Sequence, residues 1–234
     1  MSKQTATVLD RHTKPGQRAS IEESAPPDLG QKKAPTQQRA VETYERILAA
    51  CGELLGEVGI ERLSTNLICQ RAGISPPALY QYFPNKYAIL HEMGIRLMRR
   101  QNEILAPWTC PKTMSLPAEQ LIDSVVQVFL ATWRLTEEMP AGVWVTRALR
   151  AVPSLQDVRI RSHDEVTKML VQPFLESYPH VPVKQAWLLL RLAVDSHYTA
   201  LELLFDDPKL DPHEVAYTMA RMVVCQYVAL RDGA

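Results

Sequence analysis

Four residues within a short stretch have side chains that can contact DNA. They are Pro77, Tyr80, Gln81 and Tyr82, and they follow a turn at Gly73. Tyrosine and glutamine can hydrogen-bond phosphates or base edges, and a proline ring can contact a thymine methyl group. Free N–H groups at a helix start also attract phosphate. These residues indicate a nucleic-acid contact, provided that a helix presents them outward.

The flanking pattern predicts the elements that position these side chains. Apolar residues recur at three- and four-residue steps from Thr36 to Gly59, which predicts a long first helix. A short helix over Leu67–Arg71 follows Ser64-Thr65-Asn66, and a third helix runs from a Ser75 cap to Tyr82. Two short helices joined by a glycine turn are typical of a helix-turn-helix, whose second helix enters the major groove.

This stretch resembles the N-terminal signature of the tetracycline-repressor (TetR) family over about residues 40–98. The similar segments are Leu63-Ser64-Thr65-Asn66, Gln70-Arg71-Ala72-Gly73-Ile74-Ser75, Leu79-Tyr80-Gln81-Tyr82-Phe83 and Asn85-Lys86. The resemblance implies contacts to phosphates or bases from Thr65, Pro77, Tyr80, Tyr82 and Lys86, with Ser75 as a cap and candidate phosphate contact. Asn66 and Gln81 complete the candidate DNA-binding set. Asn66 stands where the family often has Arg, and Tyr82 where it often has His, so the base preference cannot be read.

The rest of the chain predicts further helices and no strands. Proline-punctuated apolar stretches predict helices at about 117–138, 141–151, 154–177, 182–205 and 212–230. The expected fold is all-α, with an N-terminal three-helix DNA-binding head and a larger helical body for ligand binding and dimerisation. The expected divisions are a disordered tail at 1–35, a helix-turn-helix domain at 36–84 and the body at 85–234. The tail's basic residues either add attraction to DNA or only aid solubility.

The resemblance implies a homodimer formed through 182–205 and 212–230. Both segments are too apolar for exposed helices, and burial either against a second copy or in the chain's own core accounts for this. Asp195 and His197 are expected to form a buried polar contact at that interface.

The resemblance also implies that the body binds a small effector, and soft, aromatic residues there suit an apolar or aromatic one. The expected pocket residues are Trp108, Phe129, Trp133, Trp144, Met169, Phe174 and Tyr178. A plain hydrophobic core explains these residues equally well. Arg134, Arg147 and His163 are candidate polar anchors, with solvent exposure as the alternative.

Composition and motifs exclude several other classes of function. The net charge is zero, but residues 36–100 carry eight Lys or Arg against six Asp or Glu, whereas 101–234 carry twelve against sixteen. A mildly basic head on an acidic body fits DNA binding. The sequence has no phosphate loop, nucleophile motif or metal-spaced cluster, so we expect no enzyme activity, cofactor or metal. Four scattered cysteines and the absence of long apolar runs predict a cytoplasmic protein without a membrane segment.

These features predict a TetR-type regulator that binds an inverted-repeat operator as a dimer and is released by a small effector. We expect the protein to repress transcription, although nothing in the sequence separates repression from activation. The alternative function is an all-helical protein-interaction module without specific DNA binding.

Overall fold

The computed structural model describes residues 26–31 and 38–233, and every regular element within these ranges is helical. The α-helices are α1 (Gln38–Arg62), α2 (Thr65–Ala72), α3 (Pro76–Tyr80), α4 (Lys86–Leu105), α5 (Pro111–Met114), α6 (Ala118–Glu138), α7 (Gly142–Ala151), α8 (Gln156–Ser177), α9 (Val183–Asp206) and α10 (Pro212–Asp232). Two 3₁₀ turns lie at Ala106–Trp108 and Pro153–Leu155. The predicted all-α class is confirmed. The sequence pattern missed α5 and both turns, because their prolines interrupt the apolar periodicity.

Capping residues explain where the head's helices begin and end. The Ser64 hydroxyl accepts a hydrogen bond from the Leu67 N–H at 3.3 Å, and Asn85 Oδ1 accepts one from Ala88 at 3.0 Å. Both bonds satisfy donors that a first helical turn leaves free. Because Ser64 is the cap, α2 starts two residues earlier than predicted. Gly73 ends α2 with a φ of 63°, which glycine adopts without a Cβ clash.

The helical run of α1 is interrupted at its predicted end. Gly59 has a φ of 71° and a ψ of 171°, which are not helical values, and a second short helical stretch continues from there to Arg62. The third helix is shorter than predicted, since α3 ends at Tyr80 and residues 81–82 form a turn. Gln81 nevertheless keeps right-handed helical backbone angles, and the Phe83 N–H donates to the Leu79 carbonyl at 3.0 Å. Tyr82 and Phe83 therefore lie on the same side as the buried Leu79.

Helix α4 joins the head to the body. It packs against α1 on one side and against α6, α7 and α8 further along. Gly94 allows α7 to approach closely, because a Cβ there would lie 2.7 Å from Cδ2 of Leu149. One buried hydrophobic core continues from Tyr44 in α1 to Ala220 in α10. The core is thus continuous across residue 84, and the division into two domains at that point stays a prediction.

In the body, α10 packs against α6 and α9, and α8 packs against α9 and α4. The outer faces of α9 and α10 carry large apolar side chains that the chain itself leaves exposed. These are Val183, Trp187, Leu188, Leu192, Leu203, Tyr217 and Met222. Among the helices of 26–31 and 38–233, none is long and apolar enough to cross a membrane.

Candidate functional site

The helix-turn-helix stands on a small, fully buried core. Ile68 of α2, Leu79 of α3 and Phe83 after it have no solvent exposure. The Ile74 N–H donates to the Cys69 carbonyl at 3.0 Å, which fixes the turn between the two helices. Packing therefore determines which faces of α2 and α3 remain outside.

The outer face carries five of the residues predicted from the sequence. Tyr80 is 41% exposed, Pro77, Gln81 and Asn66 are exposed, and Thr65 is half-buried. The hydroxyl groups of Thr65 and Tyr80 lie 3.0 Å apart and are hydrogen-bonded. This bond joins the start of α2 to the end of α3 and orients the Tyr80 ring. The structure thus brings together the two hydroxyls on which the prediction most depends; their contact with DNA stays a prediction.

Ser75 occupies the N-cap position of α3, as predicted. Its carbonyl accepts a hydrogen bond from Ala78 N at 3.0 Å, whereas its hydroxyl makes no capping bond within the described part of the chain. The side chain is exposed. A phosphate contact from this hydroxyl stays a prediction.

The outward orientation expected for Tyr82 is wrong. The side chain is only 9% exposed, and its ring meets that of Tyr44 edge to face at 5.9 Å. Because Tyr82 stands three residues after the buried Leu79 and the backbone between them is still helical, its side chain lies on the buried side and faces α1. Tyr82 is therefore a core residue of the head, and its geometry does not support a direct DNA contact.

Lys86 has internal contacts that its predicted phosphate role did not include. Its Nζ donates to the carbonyls of Ile60 at 2.8 Å and Leu63 at 2.9 Å. The Ile60 carbonyl lies in the last turn of α1, after the break at Gly59, and the Leu63 carbonyl lies in the link between α1 and α2. The ammonium group therefore clamps that link to the start of α4, and Lys86 acts as a positioning residue.

We expect Lys86→Met to destabilise the protein, since two partly buried carbonyls lose a charged donor, with a cost of about 2 kcal/mol. Urea unfolding of the variant measures this loss, and Lys184→Met, at an exposed lysine on α9, is the control. The slope of log K against log salt for DNA binding should stay as in the wild type. If the slope of log K against log salt were smaller by about one per binding site in Lys86→Met, with the stability unchanged, Lys86 would instead contact a phosphate.

Arg71 is a positioning residue that the sequence interpretation did not single out. Its guanidinium donates to both carboxylate oxygens of Glu57, at 2.9 and 2.7 Å, and to Glu53 at 3.0 Å. These hydrogen bonds lower the pKa of Glu57. Exposed ion pairs add little stability, but a two-pronged bond fixes an orientation, here that of α2 on α1. The sequence feature that could have predicted these ion pairs is the pair of glutamates on α1, Glu53 and Glu57, which are four residues apart.

Part of the predicted disordered tail contacts the head. Within residues 26–31, the Asp28 carbonyl accepts a hydrogen bond from Asn85 Nδ2 at 2.8 Å, and Gln31 Nε2 donates to the Tyr44 hydroxyl at 2.9 Å. Leu29 packs against the hydrophobic core. For these six residues the expectation of disorder is wrong. The rest of the predicted tail lies outside the described residues.

A cavity of about 140 Å³ lies inside the body, bounded by α4, α6, α8, α9 and α10 and by the segment around α5. Most of its wall is aliphatic, with the side chains of Gln101, Ser124, Thr132, His197 and Tyr198 as the main polar groups. No Lys, Arg, Asp or Glu is among the described residues that line it. Such a cavity suits an apolar, uncharged ligand.

Of the seven residues expected to line a pocket, Trp108 lines this cavity. The other six lie elsewhere. Phe129 and Phe174 are fully buried in the core, Trp133 packs against it, and Tyr178 donates to the Met114 carbonyl at 3.1 Å.

The last two of the seven are near the surface. Met169 borders a surface groove between α4 and α8, and Trp144 lies between α7 and α1, beside Gly56. These seven positions were predicted only because their side chains are aromatic or, for Met169, flexible and apolar. Such side chains occur in a hydrophobic core as well as in the wall of a cavity.

The candidate polar anchors do not line the cavity either. Arg134 is exposed, and Arg147 bonds to the Phe205 carbonyl at 3.0 Å and to Asp206. His163 is buried, and its Nδ1 lies 2.6 Å from Oδ1 of Asp195.

Asp195 and His197 have polar and aromatic contacts within the chain, and their expected place at a dimer interface stays a prediction. Asp195 also accepts from Arg191 Nε at 2.8 Å, and Arg191 bonds in addition to Asp164. His197 lines the cavity, and its ring meets Phe129 edge to face at 5.1 Å.

Burial, together with repulsion from His163, lowers the pKa of His197 to about 4. The unfolded chain therefore takes up a proton near pH 6.5 that the folded chain resists, and stability falls as the pH drops below 6.5. Between pH 7 and pH 5, we expect this histidine to remove about 2 kcal/mol of unfolding free energy. Urea unfolding at both pH values, for the wild type and for His197→Gln, measures the difference. An equal loss in both proteins would show that His197 remains accessible to protons in the folded state.

The head matches known DNA-binding regulators in sequence. The sequence profile described as bacterial regulatory proteins, tetR family, matches residues 47–93. The class D tetracycline repressor of Escherichia coli is 35% identical over 63 residues, which cover 27% of this chain and 29% of that protein. An uncharacterized HTH-type transcriptional regulator of Mycobacterium tuberculosis is 37% identical over 67 residues, 29% of this chain and 34% of its own length. The chain thus matches about a third of the length of these relatives.

Solved structures extend the likeness to the whole fold. SmeT, the repressor of a multidrug efflux pump of Stenotrophomonas maltophilia, aligns with 79% of this chain and 91% of its own, with a TM-score of 0.62 and 17% identity. GusR of Salmonella enterica aligns with 84% of this chain and 98% of its own, with a TM-score of 0.57 and 19% identity. The helix-turn-helix of this chain thus matches the tetR family of bacterial regulatory proteins in sequence, and its all-helical fold is similar to those of SmeT and GusR.

Proposed function

We propose that the protein is a homodimeric repressor that binds an inverted-repeat operator and is released by a small apolar effector. The observation that carries the DNA-binding part is the outer face of the helix-turn-helix. Tyr80 projects from the end of α3, hydrogen-bonded to Thr65 at the start of α2, and neither group is used by the core. A recognition helix contacts base edges from such a position while the neighbouring helix start contacts phosphate.

The apolar outer faces of α9 and α10 support dimerisation. Leu188, Leu192 and Leu203 are spaced along one side of α9, and Tyr217 and Met222 lie on the outer side of α10. Contiguous exposed apolar residues of this size are uncommon on a monomer's surface. A two-fold axis would bury the faces of both copies and place two recognition helices on one side of the dimer.

Helix α4 supports a route from effector to DNA. Its first residue, Lys86, clamps the α1–α2 link, and Gln101 and Leu105, near its last turn, line the cavity. A ligand that favours one tilt of α4 therefore changes the spacing of the two heads, about 34 Å for successive major grooves. This requires different affinities for the two states. A complex of the related fold SmeT with triclosan is known, which fits a body that accepts small apolar molecules.

The test is selection of bound sequences from a random double-stranded DNA pool at several salt concentrations. Enrichment of an inverted repeat with half-sites about one helical turn apart is the expected result. Binding without any enriched motif that vanishes at moderate salt would instead favour a protein-interaction module. Repression is then tested with a reporter that carries the selected operator, where added protein should lower expression.

A further inference from the structure

We propose that the cavity accepts an uncharged molecule, about the size of one substituted aromatic ring, that donates a hydrogen bond to Oε1 of Gln101. The inference rests on the proposed function only in treating the cavity as the effector site. It adds the chemical class of the effector and the residue that recognises it.

The orientation of the Gln101 amide follows from its neighbours. The Thr136 hydroxyl donates to the Thr132 carbonyl at 2.7 Å, and Gln101 Nε2 lies 2.7 Å from the same hydroxyl. A hydroxyl has a single proton, so Thr136 can only accept from Gln101. The amide nitrogen must therefore face Thr136, and exchanging the nitrogen and oxygen of Gln101 would place two acceptors together.

The amide oxygen is left without a donor. Gln101 is 3% exposed, and Oε1 is buried with no hydrogen-bond partner in the described part of the chain. Gln101 lines the cavity whereas Thr136 does not. Because Nε2 is bonded to Thr136, Oε1 is the amide atom left for a ligand, and a small shift of the side chain is needed to bring this buried atom into contact with the cavity. A buried carbonyl oxygen without a donor is costly, and a ligand that supplies the donor removes that cost.

Three hydroxyls of the wall already have partners for their protons. The hydroxyls of Ser124 and Thr132 donate to backbone carbonyls of their own helix at 2.8 Å, and the Tyr227 hydroxyl donates to Met114 at 2.8 Å. The Tyr198 hydroxyl and the neutral His197 ring also line the cavity, but each can either donate or accept, whereas Gln101 Oε1 can only accept. Gln101 is therefore the group that selects a ligand with a donor.

Charge and size define the remainder of the ligand. No acidic or basic side chain is among the described residues of the wall, and His197 is neutral because burial lowers its pKa to about 4. A charged ligand would lose its hydration without a counter-charge. The cavity volume of about 140 Å³ is close to that of an engineered apolar cavity of about 150 Å³ that binds benzene.

The experiment compares phenol, toluene and benzoate as probes of the full-length protein by titration calorimetry. Phenol and toluene have nearly the same shape, but only phenol donates a hydrogen bond. We expect phenol to bind at least about tenfold more tightly than toluene, and benzoate not to bind. Gln101→Met should remove the preference for phenol while keeping the affinity for toluene. Ser124→Ala, at a wall hydroxyl that is already bonded, is the matched control and should keep the preference.

Equal binding of phenol and toluene by the wild type, or a preference that survives Gln101→Met, would overturn the role of Gln101. Absence of binding by both rings, or tight binding of benzoate, would overturn the ligand class. DNA binding is measured on the same preparations without probe. If the protein discriminates phenol from toluene but does not bind DNA sequence-specifically, only the proposed function is contradicted. If it binds DNA sequence-specifically but does not discriminate the two rings, only the proposed ligand of the cavity is contradicted.

Discussion

Replacing Leu192 and Met222 by glutamate should convert the proposed dimer to a monomer and lower affinity for an inverted repeat by about 1000-fold. In a single chain these side chains are 56% and 69% exposed, on the outer faces of α9 and α10. Burying a Leu or Met contributes about 1.5–3 kcal/mol, and a two-fold interface counts each side chain twice. The glutamates would instead bring carboxylates from both copies into one interface, where unpaired charge is costly.

The affinity follows from the oligomeric state. A dimer holds two half-sites with linked heads, and this linkage typically raises affinity by about 10²–10⁴-fold. Sedimentation equilibrium measures the mass, and fluorescence anisotropy with the selected operator measures the affinity. Ile160→Glu is the matched control, because it makes the same change at an exposed apolar residue on α8. The dimer face would be misplaced if the double variant stayed dimeric, or if the control dissociated as well.

Local signals in the sequence were sufficient for the helix-turn-helix. Gly73 and Ser75 act through their own backbone neighbourhood, so the left-handed end of α2 and the cap position of α3 could be recognised without knowing the fold. The cap at Ser64 was missed, so the predicted α2 starts two residues late. Tyr82 was expected to point outward although it stands three residues after Leu79, and residues three apart on a helix lie on the same face. The carbonyl partners of Lys86 were not predicted, because they lie more than 20 residues away and such contacts depend on tertiary packing. Its contact with phosphate stays a prediction.

The cavity was predicted poorly because residue type was used and periodicity was not. Along α4, the buried positions Leu90, Leu97 and Gln101 follow seven- and four-residue steps, so a glutamine stands where an apolar residue is expected. A polar residue on a buried stripe is the signal of a functional contact. His197 gives the same signal on α9, between the buried Val194 and Leu201. Aromatic residues, by contrast, are ordinary core components.

Tyr80→Ala should lower affinity for the selected operator by at least about 100-fold while leaving a folded dimer. The exposed ring contributes nothing to the head's core, so the fold does not depend on it. A good base contact contributes about 1–3 kcal/mol, and a dimer makes each contact in both half-sites. Circular dichroism and sedimentation verify the fold and the dimer, and anisotropy measures the affinity for the operator and for unrelated DNA. Unchanged operator affinity would mean that another face of the protein reads DNA.

The hydrogen bond between Thr65 and Tyr80 makes a sharper test possible. If Thr65 orients the tyrosine ring, then Tyr80→Phe and Thr65→Val remove the same interaction. Each should weaken operator binding by about tenfold, and the double variant should be little weaker than either single variant, because contacting residues are not additive. Additive losses would mean that the two hydroxyls contact DNA independently. A coupled loss confined to the operator, with binding to unrelated DNA unchanged, would assign the pair to base recognition, since phosphate contacts weaken binding to all sequences alike.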